Sequence, residues 1–195
     1  MCIIIIKQKP NHLPSEVLKN SARINRDGLG ILWLDTYKIE YKNSKDYQVL
    51  NTDRPFIAHF RYATIGKVSK ENIHPFRCGK HSDEYLFQNG TINGYGNKNM
   101  TDTEDLAQRL GRCPRHLWAK SLSKFNCRFV TANVRNKSFQ IYNKKSWIHK
   151  DGVWYSKGNV FQNHLVAVYG TLKKGYGNNL SLIHISRAHE TIADR

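Results

Sequence analysis

The feature of this sequence that most constrains its fold is the apolar run CIIIIK at residues 2–7. Four consecutive isoleucines predict a β-strand, because β-branched side chains favour extended backbone. An unbroken apolar run, without polar residues at alternate positions, is typical of a strand that is buried on both faces. The run therefore places Cys2 at the end of a buried strand.

Other short runs of β-branched and aromatic residues predict a domain dominated by strands. The predicted strands are Gly30 to Leu34, Tyr37 to Tyr41, Phe56 to Tyr62, Glu84 to Gln88, Thr91 to Tyr95, Phe129 to Val134 and Phe139 to Asn143. The Asn-Gly pair at residues 89 and 90 lies between two of these runs and predicts a hairpin with a two-residue turn. A second hairpin turn is predicted at Asp151-Gly152, between Trp147 and Trp154.

Two helices are predicted between the strands. The segment TDTEDLAQRLG, residues 101–111, has Thr and Asp as N-cap residues, acidic residues in its first turn and a final glycine. Leu106 and Leu110 share one face of this helix. A second helix is predicted over His116 to Lys124.

The length of 195 residues and the hydrophobic content of 39% allow one sizeable core and the beginning of a second domain. After Asn163 the pattern restarts with the strand LVAVYG and a glycine-rich loop, which places a domain boundary near residue 160. No stretch approaches the roughly 18 apolar residues of a membrane span, and Ile3 to Ile6 is too short for a signal-peptide core. We therefore expect a soluble cytoplasmic protein with reduced cysteines and no membrane partner.

The formal net charge of +16 makes nucleic-acid binding a rival function. Lysines and arginines occur in ones and twos along the chain, without a block of five or six and without a known nucleic-acid-binding signature. This distribution argues against nucleic acid as the main partner. The alternative is a soluble surface rich in lysine and asparagine.

Cys2 directly follows the initiator methionine, whose removal would expose an α-amine beside the Cys2 thiol. Reference pKa values of about 8 for the amine and about 8.5 for the thiol would allow the two groups to share a proton near neutral pH. The amine could then serve as the base that activates the thiol. Taken alone, a cysteine at this position can also be incidental.

Two neighbouring segments, FIAHFRYATIG and ENIHPF, bring Arg61, Thr64 and His74 into consecutive loops. An arginine at a strand end could hold a carboxylate through two parallel hydrogen bonds. The alternative is a surface arginine and a structural histidine before a proline turn.

The segment EYLFQNGTINGY allows a functional interpretation besides the hairpin. The Asn89 amide and the Gly90 backbone N–H could converge on a developing oxyanion. Asp102, at the start of the predicted helix, could either cap that helix or pair with the ammonium of an amino acid.

Taken together and in this order, the segments resemble the class II glutamine amidotransferase family. The family pattern is an N-terminal Cys, R-[WY]-A-T-x-G, N-x-HP-[FH], an HNG oxyanion motif and TDTE, and DGLGILW matches its DGxG segment after the first helix. The resemblance covers roughly residues 2–155. It implies an α+β fold, a four-layer αββα N-terminal-nucleophile hydrolase sandwich, followed here by an incomplete C-terminal segment.

The resemblance also implies the reaction and its residues. Cys2 would attack the side-chain amide of glutamine, while Asn89 and Gly90 hold the oxyanion, giving glutamate and ammonia through a thioester. The implied substrate-binding residues are Arg61 for the α-carboxylate, Asp102 for the α-ammonium, and Tyr62, Thr64 and His74 in the pocket. Such domains pass ammonia to a synthase or ligase domain or partner, whose acceptor the sequence does not name.

Two departures from the family pattern affect the expected activity. Ile3 replaces the usual glycine after the nucleophile, and Gln88 replaces the usual histidine before Asn-Gly. Ile3 could crowd the substrate, so an inactive homologue that serves as a binding module is the alternative to an active glutaminase.

A zinc site is a further alternative, because Cys78-x-x-His81 and Cys113-x-x-His116 offer ligand pairs. These pairs are less specific than paired CxxC motifs, and both cysteines could be small core residues. We therefore predict no metal and no cofactor.

The C-terminal residues predict two further segments after an amidotransferase domain at residues 1–159. HLVAVYGTLKKGYGNN resembles the opening strand and substrate loop of the γ-glutamylcyclotransferase family, so residues 160–179 are interpreted as the truncated start of such a domain. The stretch LSLIHISRAHETIADR resembles a translated sequencing adapter, so residues 180–195 are interpreted as a non-native tail.

Overall fold

Two antiparallel sheets contain the strands of the described residues, which are 2–63, 70–98 and 100–161 of a computed structural model. In chain order the strands are β1 (Ile3–Lys7), β2 (Leu29–Trp33), β3 (Ile39–Lys42), β4 (Phe56–Phe60), β5 (Phe76–Arg77), β6 (Glu84–Asn89), β7 (Arg128–Asn133), β8 (Ser138–Tyr142), β9 (Ile148–Lys150) and β10 (Val153–Tyr155). The α-helices are α1 (Ser15–Ile24), α2 (Asp102–Gly111) and α3 (Trp118–Leu122). Short 3-10 helices cover Ser44–Leu50, Lys70–Asn72, Arg115–Leu117, Lys144–Ser146 and Asn159–Phe161.

Strand β1 occupies a central position in the larger sheet. This sheet, sheet A, has the strand order β3-β2-β4-β1-β10-β9, and sheet B has the order β5-β6-β7-β8. Ile5 of β1 pairs with Ala58 on β4 and with Tyr155 on β10. The first strand of the chain is therefore held between a strand from its middle and a strand that ends at residue 155.

The four isoleucines of β1 divide between two hydrophobic clusters. Successive side chains of a strand point to opposite faces of the sheet. Ile3 and Ile5 pack in a cluster shared with α1, whereas Ile4 and Ile6 pack in a cluster shared with sheet B. All four are 0% exposed, which confirms that β1 is buried on both faces.

A third hydrophobic cluster covers the other face of sheet B. It joins Leu86 of β6 and Phe129 of β7 to Leu106 of α2 and Leu122 of α3. Their neighbours along the strands, such as Phe87, belong instead to the cluster shared with sheet A. The described part of the chain is thus a mixed α and β fold with two antiparallel sheets.

Helix α2 begins and ends as predicted. Thr101 is its N-cap, and the Thr101 hydroxyl accepts a hydrogen bond from the Glu104 backbone N–H at 3.2 Å. Leu106 and Leu110 are each 2% exposed. Asp102 is the first helical residue, and its carboxylate accepts a hydrogen bond from the Thr103 N–H at 2.9 Å, so it also stabilises the start of the helix. The second predicted helix is shorter than expected, because α3 is preceded by the 3-10 helix Arg115–Leu117.

The predicted hairpin at Asn89-Gly90 and the predicted strand Thr91 to Tyr95 are wrong. Strand β6 extends to Asn89 and pairs with β5 and β7, not with the residues that follow it. A type I′ turn needs positive φ at both central residues, whereas Asn89 stays in the strand and Gly90 has φ 137°. The Ile92 N–H donates to the Asp102 carboxylate at 2.9 Å, which directs this segment toward α2.

The predicted hairpin at Asp151-Gly152 is confirmed. It joins β9 to β10, and Val153 pairs with Lys150 across the turn. Asp151 and Gly152 have φ values of 51° and 75°, the positive pair that a type I′ turn requires.

The described residues belong to one compact unit, Met1–Phe161. Residues 162–195 lie outside the described residues, and with them the segment LVAVYG that is predicted as a strand. The boundary near residue 160, the cyclotransferase-like start at 160–179 and the non-native tail at 180–195 therefore stay predictions.

Candidate active site

A cleft beside the beginning of β1 brings most of the predicted site residues together. Its volume is about 360 Å³ including its opening to solvent. Its walls are the residue before β1, the segment after β4, the end of β6 and the start of α2. The predicted site residues that line it are Cys2, Arg61, Tyr62, His74, Gly90 and Asp102.

Two other predicted site residues are not among those lining the cleft. Thr64 lies outside the described residues, so its role stays a prediction. Asn89 lies between two lining residues, Gln88 and Gly90, and 2% of its surface is exposed. Its amide nitrogen is 2.8 Å from the Ser156 hydroxyl oxygen.

The Cys2 thiol lies against the backbone of Tyr62. Its sulfur accepts a hydrogen bond from the Tyr62 N–H at 3.3 Å, and the thiol lies 3.5 Å from the Tyr62 carbonyl oxygen. Burial raises the pKa of Cys2, while the Tyr62 N–H and the Arg61 guanidinium act in the opposite direction. A thiol with a raised pKa is protonated at neutral pH and needs a base before it can attack.

Arg61 provides a buried positive charge in the same cleft. It is 3% exposed, and burial lowers its pKa while Cys2 and Asp27 raise it, yet a guanidinium remains charged at neutral pH. Its backbone N–H donates to the Gly28 carbonyl at 2.8 Å, and its carbonyl accepts from the Asp27 N–H at 3.0 Å. The Asp27 carboxylate also accepts from the Ala63 N–H at 2.8 Å. The DGLG segment therefore holds the backbone that presents Arg61.

Asp102 provides the negative charge, and its carboxylate is held at the start of α2. One oxygen accepts from the Ile92 N–H at 2.9 Å and from the Gln88 amide at 3.2 Å. The other accepts from the Thr103 N–H at 2.9 Å. Gln88 also donates to the Gly90 carbonyl at 3.3 Å. Gln88, which departs from the family pattern, thus links the Asp102 carboxylate to the backbone of Gly90.

His74 stacks on a second buried histidine, His59, behind the cleft. Their ring centroids are 3.9 Å apart, and their exposed fractions are 6% and 0%. His59 Nε2 lies 3.1 Å from the Gln88 carbonyl, and His74 Nε2 lies 3.1 Å from the Thr103 hydroxyl. Burial lowers the pKa of His59 to about 3 and that of His74 well below its usual value. Both rings are therefore neutral near pH 7.

This histidine pair predicts a loss of stability in mild acid. The unfolded chain takes up protons at both rings near pH 6.5, and the folded chain does not, so the free energy of unfolding falls as pH drops below about 6.5. Each histidine contributes a slope of about 1.4 kcal/mol per pH unit. Denaturant unfolding between pH 8 and pH 5 measures this slope. His59→Gln should lower the number of protons taken up on unfolding by about one. A slope equal to that of the wild type would contradict the assignment.

Gly90 lies where no other residue fits without strain. It has φ 137°, and a Cβ added there would lie 2.4 Å from the Cys127 sulfur. Gly94 is a matched comparison, because it has φ 80° but no atom of the described residues within 4 Å of an added Cβ. The contact between an added Cβ and the Cys127 sulfur therefore distinguishes Gly90 from Gly94.

Gly90→Ala should destabilise the protein more than Gly94→Ala. Both substitutions cost about 1–3 kcal/mol in backbone strain, and the contact with Cys127 adds about 1–3 kcal/mol at Gly90. Unfolding free energies of the two variants measure the difference. If Gly94→Ala were as costly as Gly90→Ala, backbone strain alone would explain both.

The two Cys-x-x-His pairs do not assemble into a metal centre. Across the described ranges, no group of three or more His, Cys, Asp or Glu residues is placed to hold a metal ion. Cys78 is buried, and burial raises its pKa to about 12. Cys78 and Cys113 pack in the cluster between sheet B and helices α2 and α3. Their positions favour core packing.

No family model matches this chain, and no curated protein matches it. Each helix within residues 2–63, 70–98 and 100–161 is too short or too polar to span a bilayer.

Proposed function

We propose that this chain is a glutaminase of the class II glutamine amidotransferase type, with Cys2 as its nucleophile after removal of Met1. The observation that carries the proposal is the joint position of Cys2, Arg61, Gly90 and Asp102 in one cleft. These residues come from distant parts of the sequence, and the proposed chemistry requires them together.

The buried charges of the cleft support an amino acid as substrate. Free glutamine carries an α-carboxylate and an α-ammonium, and Arg61 and Asp102 offer one charge of each sign. A guanidinium can bind a carboxylate through two parallel hydrogen bonds. Binding at both charged groups would fix the orientation of the side-chain amide relative to the Cys2 sulfur.

The proposed reaction passes through two tetrahedral intermediates. The α-amine of Cys2 takes the thiol proton, and the sulfur attacks the amide carbon of glutamine. The Gly90 N–H and the Asn89 amide donate to the oxyanion, and ammonia leaves with the proton that the amine returns. Water then adds to the thioester carbon, and collapse releases glutamate and the Cys2 thiol.

The proposed architecture is the four-layer αββα N-terminal-nucleophile hydrolase sandwich. Three hydrophobic clusters support it: the first joins α1 to sheet A, the second joins sheet A to sheet B, and the third joins sheet B to α2 and α3. In this arrangement β1 lies in an inner layer, and its start opens at the cleft.

The positions of Ile3 and Gln88 support an active enzyme over an inactive homologue. The Ile3 side chain is buried in the cluster with α1 and does not line the cleft, so it leaves room for substrate. Gln88 donates to Asp102 and to the Gly90 carbonyl, and so supports two proposed site residues.

The test combines glutamine turnover with intact-mass spectrometry. The expected results are loss of Met1, ammonia release from glutamine, and a single covalent adduct of an electrophilic glutamine analogue on Cys2. Binding of glutamine without turnover or adduct would favour an inactive binding module. Binding of DNA or RNA with a steep dependence on salt, and no effect of glutamine, would favour a nucleic-acid-binding protein. We further propose that a synthase or ligase domain or partner consumes the ammonia.

A further inference from the structure

Ser156, the residue after β10, lies between the two sheets at the back of the cleft. It is 1% exposed, and its backbone N–H donates to the Ile4 carbonyl at 2.9 Å. Its hydroxyl oxygen is 2.7 Å from the Ile4 nitrogen and 2.8 Å from the Asn89 amide. Ser156 therefore contacts both the strand that carries Cys2 and the residue at the end of β6.

The hydrogen bonds of this hydroxyl define where its proton goes. A hydroxyl has one proton to donate and two lone pairs to accept with. The Ile4 N–H can only donate, so it occupies one lone pair of the Ser156 oxygen. Among the described residues, the Asn89 amide is the other hydrogen-bond partner of this hydroxyl. The Ser156 proton is satisfied only if Asn89 presents its oxygen to the hydroxyl.

The orientation of the Asn89 amide follows from this requirement. The nitrogen and oxygen of an asparagine amide have nearly the same shape, and the hydrogen-bond network determines which is which. With the nitrogen toward Ser156, the Asn89 oxygen is buried and has no hydrogen-bond partner in the described part of the chain. With the oxygen toward Ser156, the Asn89 oxygen and the Ser156 proton are both hydrogen-bonded, and the Asn89 N–H₂ is the group left to donate elsewhere. The separation of 2.8 Å also matches the usual O–H···O distance.

We propose that Ser156 is a positioning residue that donates its hydroxyl proton to the Asn89 amide oxygen and thereby frees the Asn89 N–H₂ for the oxyanion. This inference rests on the proposed glutaminase function. Ser156 acts through Asn89 and does not touch the substrate. In the opposite orientation, the Asn89 oxygen would repel a developing negative charge.

The test is a double-mutant cycle on kcat. Ser156→Ala should lower kcat about tenfold and change KM less than twofold, because the oxyanion forms only in the transition state. In the background of Asn89→Ala, the same substitution should change kcat less than twofold. Ser123→Ala, which removes an exposed hydroxyl from the C-cap residue of α3, is the matched control and should leave kcat unchanged.

Two outcomes would overturn the role of Ser156. One is an unchanged kcat in Ser156→Ala, and the other is an equal loss of kcat with and without Asn89. If Ser156→Ala does not fold, Ser156→Cys keeps a weaker S–H donor of similar shape and should give a kcat between those of wild type and Asn89→Ala. A wild-type kcat in this variant would count against the proposal.

A spectroscopic measurement separates this inference from the proposed function. In ¹⁵N spectra, the side-chain amide signal of Asn89 should shift in Ser156→Ala and stay in place in Ser123→Ala. If the signal shifts but the protein has no glutaminase activity, the Ser156–Asn89 contact is supported and the proposed glutaminase function is refuted. An unmoved signal in an active enzyme would refute the contact alone.

Discussion

Cys2→Ala should abolish ammonia release from glutamine while the protein remains folded. The substitution removes the sulfur proposed to form the thioester and keeps the α-amine, and no other thiol lines the cleft within the described residues. The sulfur contacts the backbone of Tyr62 and belongs to none of the three hydrophobic clusters, so little core packing is lost. Turnover should fall below detection, which an ammonia-coupled assay measures.

Cys113→Ala is the matched control for this prediction. Cys113 is also partly exposed, but it packs beside the cluster of α2 and α3. The variant should retain full turnover and should still form one covalent adduct with an electrophilic glutamine analogue. More than a few per cent of wild-type turnover in Cys2→Ala, or an adduct on Cys113, would contradict the assignment of the nucleophile.

Asn89→Ala should lower kcat about 100- to 1,000-fold, equivalent to roughly 2.7–4 kcal/mol of transition-state stabilisation. KM for glutamine should change little, because the amide would donate only when the oxyanion has formed. Steady-state kinetics over a range of glutamine concentrations separate the two parameters.

The control for Asn89→Ala is Asn136→Ala on the exposed turn between β7 and β8. It makes the same chemical change far from the cleft in the fold and should leave both kcat and KM unchanged. A large rise in KM with constant kcat in Asn89→Ala would instead assign Asn89 to substrate binding.

The sequence predicts those elements whose pattern is local and strong. Four isoleucines in a row indicate a strand buried on both faces because each face needs its own apolar side chains. Helix α2 carries a capping threonine, acidic residues in its first turn and a final glycine. Helix α1 has weaker signals: Glu16 lies in its first turn, but Pro14 precedes it without a side-chain cap, and only a few apolar residues, such as Val17 and Leu18, mark its buried face. No bounds could be predicted for it.

Tertiary contacts explain the errors near Gly90. Local propensity predicts a hairpin at Asn-Gly, but β6 pairs with β7, nearly forty residues later in the chain. The Ile92 N–H donates to the Asp102 carboxylate, so it is not available for the hydrogen bonds of the predicted hairpin. The residues next to Gly90 contain no pattern that predicts either contact.

The candidate site was predictable only where its residues lie in recognisable segments. Cys2, Arg61, Gly90 and Asp102 each belong to such a segment, and all four line the cleft. Ser156 follows the strand residues VWY without any motif. Its contact with Asn89 spans 67 residues and depends on how the two sheets face each other, which no local pattern records.

The order of strands in sheet A has a consequence for the timing of synthesis. β1 is made first, but one of its two neighbours, β10, ends only at Tyr155. Until a ribosome has released that segment, β1 lacks one of its partners, and the hydroxyl of Ser156 is missing from the back of the cleft. Neither sheet A nor the contact of Ser156 with Ile4 and Asn89 can therefore be completed before the ribosome has made residue 156.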